Sequence, residues 1–278
     1  MMGTIHVRPP AVAGRFYPAD PGRLRFMVDG FMSEARETVV PTGGPPPRAV
    51  MVPHAGYVYS GAIAALGYAA LTVPGADIRH VVIAGPCHYV GVQAIAMPDA
   101  DAVRTPLGDI PMWEEGVAVA VASSVAVIVS EPVHAQEHSL EVQLPFLQRL
   151  LPDADVLPLA VGWVDAETIA DVLEACLEEP GTAVVISSDL SHYHPYEEAK
   201  IIDAKTIEDV LSLEPVDHDQ ACGATAVNGM LDVARTHGLE PRLLGACNSG
   251  DTSGDHRRVV GYASLAFDGE VRGDVAEG

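Results

Sequence analysis

The sequence predicts an α/β fold, a single-domain three-layer α/β/α sandwich around a mixed, largely parallel sheet. Three observations carry that expectation. Short β-branched runs such as Thr182-Ala183-Val184-Val185-Ile186 have the composition of buried parallel strands. They alternate with Ala-rich segments of helical spacing, the pattern of strand–helix crossover units. No repeat, low-complexity block or long linker divides the 278 residues, so one domain is expected over 1–278 with its core at about 8–268.

The elements follow in order. Residues 11–21 read as an irregular arm leading into a helix, with Asp20 as N-cap and Pro21 in the first helical position. Leu24, Met27, Val28 and Phe31 then recur at helical spacing. The Pro- and Gly-rich stretch 40–47 is short enough for a surface loop. A strand is expected over 49–53, a small-residue loop over 54–61 and an Ala-rich helix over about 62–71. The second strand is 80–84, and Gly85-Pro86-Cys87-His88 turns out of it. Shorter strands are expected at 93–97 and 101–104, a helix at 112–123 and a strand at 126–129. Residues 137–147 read as a helix with Leu140, Leu144, Leu147 and Leu151 on its apolar face, kinked at Pro145. A strand at 156–161, a helix at 166–177 and a strand at 183–187 come next. Helices at 197–211 and 224–237 precede closing strands at 243–246 and 259–267, and the tail after Gly269 is expected to fray.

Charge removes one class of function. A formal charge of −22 leaves no basic surface for phosphates, which argues against nucleic-acid binding; the acidity reads as a solvated surface. No apolar run reaches the roughly 18 residues a membrane span needs, and no signal peptide is visible. A cytoplasmic protein is the expectation. Cys87, Cys176, Cys222 and Cys247 are too few and scattered for a disulfide framework and form no CxxC pair, so they are expected as thiols or metal ligands.

The chemistry gathers where strands end. Ser187-Ser188-Asp189-Leu190-Ser191-His192-Tyr193 follows one strand, and His54 and His88 follow two others. In open α/β sheets ligands bind beyond the carboxyl ends of strands, so these groups would converge on one polar site. A divalent metal needs three or four converging donors, of which imidazole is the commonest. No HExxH-type motif is present, so such a site would be assembled from distant segments. The alternative is that each histidine bonds a nearby carbonyl or helix end. Tyr57 and Tyr59 stand close to His54, either as pocket wall or as packing in a Gly-rich loop. His6, His80, His134, His194, His218, His237 and His256 are read as solvated or locally bonded, and Trp113 and Trp163 as packing residues.

An ordered set of motifs adds a resemblance. It comprises Arg8-Pro9-Pro10-Ala11-Val12-Ala13-Gly14-Arg15-Phe16-Tyr17-Pro18, Pro53-His54-Ala55-Gly56-Tyr57, Gly85-Pro86-Cys87-His88, Arg104-Thr105-Pro106-Leu107-Gly108, Glu137-His138-Ser139-Leu140-Glu141, Ser188-Asp189-Leu190-Ser191-His192 and Cys222-Gly223. Together these resemble the Memo family, whose prokaryotic members are also called AmmeMemoRadiSam system protein B. That family is similar in fold to class III extradiol ring-cleaving dioxygenases, which use non-haem Fe(II). The resemblance implies a metal held by His54, His88 and Cys222, with Asp189, His192 and His138 in the same pocket as candidate catalytic residues. His192 would be the proton donor or acceptor, a role suited to imidazole. Asp189 would orient a water or imidazole, or cap the turn after its strand; His138 would face substrate, or sit in a first helical turn capped by Glu137.

The ring-cleaving enzymes use a glutamate where this chain offers Cys222. A thiolate suits copper, zinc or iron and alters the redox potential of a site. Fe(II) or copper is therefore the expected cofactor, with zinc as the alternative. Cys87 and Cys247 are rival thiols; Cys222 is preferred because Cys-Gly at a helix start matches the family pattern and a helix N-terminus stabilises thiolate. Three functions follow: a metal-dependent, dioxygenase-like oxidoreductase acting on a small molecule, aromatic or phenolic compounds among the candidates; a zinc hydrolase; or a binding module using the same pocket without catalysis. The family name also implies association with radical SAM and AMMECR-type proteins.

Overall fold

The computed structural model describes residues 5–40 and 43–271. The chain starts with β1 (Val7–Arg8) and α1 (Pro21–Thr38), whose Asp20 N-cap accepts from Arg23 N at 2.8 Å and whose Pro21 opens the first turn. Leu24, Val28, Met32 and Ala35 form its fully buried stripe, while Met27 and Phe31 are half-buried beside it. β2 (Ala49–Val52) leads into α2 (Tyr57–Leu71). This helix starts five residues before the expected 62. Gly61, which reads as a loop residue in sequence, and Gly67, inside the expected helix, are there for contact: a Cβ on them would lie 2.5 Å from the Phe31 ring and 2.4 Å from Val52. Close packing against α1 and β2 outweighs their poor helix propensity.

β3 (His80–Pro86), β4 (Ile95–Met97), β5 (Ala102–Thr105), β6 (Gly108–Pro111), α3 (Glu114–Ser123), β7 (Val127–Val129) and α4 (Glu131–His134) follow. The kinked helix expected over 137–147 does not form. Residues 137 and 138 are irregular, 139 and 140 are turn, Glu141–Gln143 is one turn of 3₁₀-helix, and α5 (Leu144–Leu150) begins only there, with Pro145 in its first turn rather than at a kink. Proline is tolerated at a helix start because its missing N–H would have no partner there. The polar side chains upstream bond other segments instead of continuing a helix.

The rest is β8 (Asp155–Val161), α6 (Ala166–Glu178), β9 (Thr182–Ser187), β10 (His192–His194), α7 (Tyr196–Leu211), α8 (Ala224–His237), β11 (Glu240–Asn248), α9 (Ser249–Ser253) and β12 (Val259–Asp268). β10 was not expected, and β11 extends the expected 243–246 at both ends. Of the surface loop over 40–47, residues 41 and 42 lie outside the described residues, as does the tail beyond 271.

Among the described residues the main sheet has nine strands, in the order β10-β12-β2-β9-β3-β8-β4-β7, with β11 also paired to β12. The four central strands β2, β9, β3 and β8 are parallel, and antiparallel strands close both sides. α1, α2 and α5 pack together on one side, α3, α6 and α8 on the other, which completes an α/β sandwich. The central strands are buried along nearly their whole length, as strands covered on both faces must be. β1, β5 and β6 form a separate three-stranded sheet. No helix among the described residues is long and apolar enough to cross a membrane.

Candidate metal centre

Register brings the site together. β2 and β9 pair with Val52 opposite Ser187, and β3 pairs with β9 with Ala84 opposite Ile186. The three parallel strands thus end at one edge of the sheet, and His54, Asp189 and His88 lie just beyond it. The turn after α4 delivers Glu137 and His138 to the same place, and the segment before α8 delivers Cys222.

The donor atoms of His54, His88 and His138 lie within 4.8 Å of one another, a group that could hold a metal ion. Their rings pack at centroid distances of 4.5 Å for His88–His138, 5.2 Å for His54–His88 and 5.4 Å for His54–His138. Cys222, expected as the third ligand, is not in that group, where His138 takes the third place; its Sγ lies 3.3 Å from His54 Nε2. Two donors bound tetrahedrally to one ion, with bonds of about 2.0 Å to nitrogen and about 2.3 Å to sulfur, would be about 3.5 Å apart.

The hydrogen bonds around the imidazoles assign their protons. The single hydrogen of Ser187 Oγ goes to Ser139 O at 2.6 Å, a carbonyl that can only accept, and the same oxygen accepts from Gln143 Nε2 at 2.9 Å. At the 3.0 Å contact with Ser187, His54 Nδ1 must therefore be the donor. His88 Nδ1 donates to Glu137 Oε1 at 2.9 Å, since a carboxylate cannot donate. Both rings consequently carry their lone pair on Nε2, the tautomer a metal ligand needs, and each is oriented by a partner behind it. His138 Nδ1 is buried with no hydrogen-bond partner; Glu137 Oε1 stands 3.4 Å away. These donors fit a metal.

Electrostatics agree with neutral imidazoles. Burial, then the neighbouring histidine charges, holds His54 and His138 down to about 3. Burial works to raise the Glu137 carboxyl, but the hydrogen bond and charge of His88, with the backbone N–H groups of His88 and Ser139, overcome it and hold the group at about 2. Its two oxygens accept from His88 N, His88 Nδ1, His138 N and Ser139 N at 2.6–2.9 Å. Glu137 both caps this turn and orients His88, and His138 reaches the cleft from the same turn. Burial, reinforced by the charge of Asp189, pushes the Cys222 thiol up to about 12. The expected stabilisation of thiolate by a helix start is therefore overcome in the metal-free chain. Cys222 lies just outside α8, whose N-cap is Gly223, and Gly223 packs so closely on Ser188 that a Cβ there would lie 2.8 Å from the serine Cβ.

Asp189 is buried, and its Oδ1 accepts from His54 N at 2.7 Å, so it secures the backbone of the first histidine. Burial raises its carboxyl to about 6 against the pull of that N–H. His192 lines the cleft from β10, where pairing with β12 is irregular between His192 and His194 and Tyr193 adopts a left-handed backbone (φ 66°). Such a conformation in a non-glycine residue costs on the order of 1–3 kcal/mol and is held by its surroundings.

The cleft itself has a volume of about 790 Å³ and is walled by Arg15, Phe16, Tyr59, His218 and Tyr262 as well as the groups above. Tyr59 stands in the wall; Tyr57 does not. Tyr57 opens α2, is buried against Phe146 and donates its hydroxyl to Val142 O at 2.7 Å, so it belongs to the core. Trp113 packs as expected, but Trp163 is 70% exposed because it follows β8 beyond the sheet edge, where it borders a small neighbouring pocket with Cys87 and His218. His134 is buried instead of solvated and bonds the remote Ala96 O at 2.8 Å; His237 is buried against Glu174. Glu137 in its orienting role, Ser187 and Gln143 were missed in sequence, where nothing but their nearness to the Glu137-to-Glu141 and Ser188-to-His192 motifs marks them.

The model for Memo-like proteins matches residues 8–266. The chain belongs to the Memo family. It is 35% identical over 279 residues to a MEMO1 family protein of Methanopyrus kandleri, covering 94% of this chain and 98% of that one. A MEMO1 family protein of Ignicoccus hospitalis is 37% identical over 281 residues, with 94% and 98% covered, and one of Aquifex aeolicus 35% identical over 279 residues, with 95% and 100% covered. The match to a Memo-like chain thus spans every segment that builds the histidine cluster.

Proposed function

We propose that this Memo-family chain is a non-haem metal-dependent oxidoreductase of the dioxygenase-like kind, acting on a small molecule held in the cleft. The observation that carries the reading is the matched tautomer of His54 and His88, each with Nδ1–H engaged by a partner and its Nε2 lone pair left free to ligate. Cys222 supplies the third donor in this reading, losing its proton on ligation, and His138 is the further imidazole facing the same point. A bound iron or copper ion supplies redox chemistry with dioxygen. His192 gives or takes the substrate proton, and Asp189 keeps His54 in place through its backbone N–H. Burial keeps His54 and His138 neutral and available as ligands.

The test is the metal content of protein purified without oxygen or chelators, with His54→Ala, Cys222→Ala and His138→Ala variants. Near-stoichiometric iron or copper, lost in the first two variants, with oxygen uptake on phenolic compounds, supports the reading. Retention in Cys222→Ala with loss in His138→Ala would replace the thiolate by the third histidine. Zinc in place of iron or copper moves the assignment to hydrolysis. Absence of metal, with folded variants of unchanged stability, leaves only a binding module.

A further inference from the structure

We propose that Arg15 recognises a negative charge on the substrate, so that the cleft takes an aromatic small molecule carrying an anionic group of the carboxylate class. This rests on the reading of the cleft as a substrate site.

Arg15 is held by a tight turn. Gly14 takes a left-handed backbone (φ 81°), and the turn closes through Gly14 N to Tyr17 O at 2.7 Å and Arg15 N and Phe16 N to Val12 O at 3.0 Å. That turn is clamped from both sides. On one side the buried Glu141 carboxylate accepts from Arg8 Nη1, Ala11 N, Val12 N and Tyr17 Oη at 2.6–2.9 Å. On the other, Phe16 O accepts from Tyr57 N at 2.8 Å, two residues from the Ala55 of the cleft wall. Arg15 and Phe16 are therefore presented by a rigid turn rather than a loose arm.

What they present is complementary to an aromatic anion. Phe16 packs its ring 4.5 Å from that of His138, and Tyr59 and Tyr262 line the same space. Arg15 lines it too, near enough for its charge to act on His138, yet no hydrogen bond or ion pair joins its guanidinium to a protein group among the described residues. The carboxylates of the cleft are otherwise committed or peripheral: Asp189 is buried and bonded to His54 N, and Asp219 lies on the exposed rim. Arg15 is itself exposed, at the mouth of the cleft; in a chain with 38 acidic and 16 basic residues, a cation left unpaired there creates a local positive potential. A guanidinium fork matches a planar or tetrahedral oxyanion. A cleft of about 790 Å³ has the size of small-molecule sites.

The test uses the protein as purified, with its metal content recorded. Benzenesulfonate, a permanent anion and poor metal donor, is titrated beside its neutral analogue methyl phenyl sulfone by ligand-observed NMR. Wild type is expected to prefer the anion by about tenfold, the range of one charge-assisted hydrogen bond. Arg15→Met brings the two compounds within about twofold, and Arg15→Lys retains part of the preference. Wild type stripped of metal with a chelator keeps the preference. An unchanged preference in Arg15→Met, or none in wild type, overturns the proposal even if metal is bound. A preference lost in Arg15→Met in protein that holds no metal sustains the Arg15 assignment while the oxidoreductase reading fails.

Discussion

β3 carries a histidine at each end, and the two make the same contact with opposite meaning. His80 opens the strand with Nδ1 2.7 Å from Asp155; His88 follows its far end with Nδ1 2.9 Å from Glu137. Carboxylate pairing therefore does not distinguish structural from functional histidines. Surroundings do. His80 stacks on Trp113 at 4.5 Å, and its partner Asp155 is a quarter exposed. His88 meets two further imidazoles, and its partner Glu137 is buried and accepts three more hydrogen bonds. Nearby groups at the amino end of the sheet are likewise committed: Arg48 donates to the carbonyls of Thr182, Leu177 and Glu179. At the carboxyl end, lone pairs are left facing one another.

The largest expected effect comes from the two carboxylates. Glu137→Ala strands four donors in a buried turn and should cost about 3–5 kcal/mol of stability, whereas Asp155→Ala should cost under about 1 kcal/mol. Urea denaturation at neutral pH measures both; equal losses would erase the distinction between the two ends.

Acid should reveal the carboxyl-end imidazoles next. In metal-stripped protein, His54, His134 and His138 are held at about 3, 4 and 3, below the ordinary value near 6.5. Unfolded imidazoles take up protons that the folded ones refuse, so stability is present above about 6.5 and falls as pH drops toward the folded values. Between pH 6.5 and 5 the loss is about 2 kcal/mol per imidazole. Asp189, raised to about 6, works in the opposite direction over the same window, gaining stability as pH falls, but it is one group against three. Denaturation midpoints at pH 7 and 5 test the sign, and His134→Gln should remove part of the slope.

A smaller effect tests orientation. Ser187→Ala frees His54 Nδ1 and should weaken metal affinity about 10–100-fold, while Thr182→Ala at the start of the same strand should leave it within about twofold. Competition with a chelator reads both.

Much of this arrangement was legible in the sequence. The β-branched runs locate the central strands, and parallel strands place their carboxyl ends at one edge, so His54, His88 and Asp189 converge on topology alone. Capping chemistry at Asp20-Pro21 places α1 to the residue. What stayed illegible depended on partners remote in the chain. Gly61 signals a loop until Phe31 is known to lie against it. Pro145 signals a kink until the segment before it is seen to spend its side chains on Pro86, Ser187 and the Glu137 turn. The aromatic ring of Tyr57 is indistinguishable from that of Tyr59 until the helix phase is fixed by burial.

Convergence, and not pairing with a carboxylate, marks the histidines that could hold a metal ion. The direct measurement is metal stoichiometry of anaerobically purified His80→Ala and His88→Ala protein beside wild type. The account predicts that His80→Ala retains the wild-type metal content and His88→Ala loses it while remaining folded. Equal metal content in the two variants, or loss in His80→Ala alone, would contradict it.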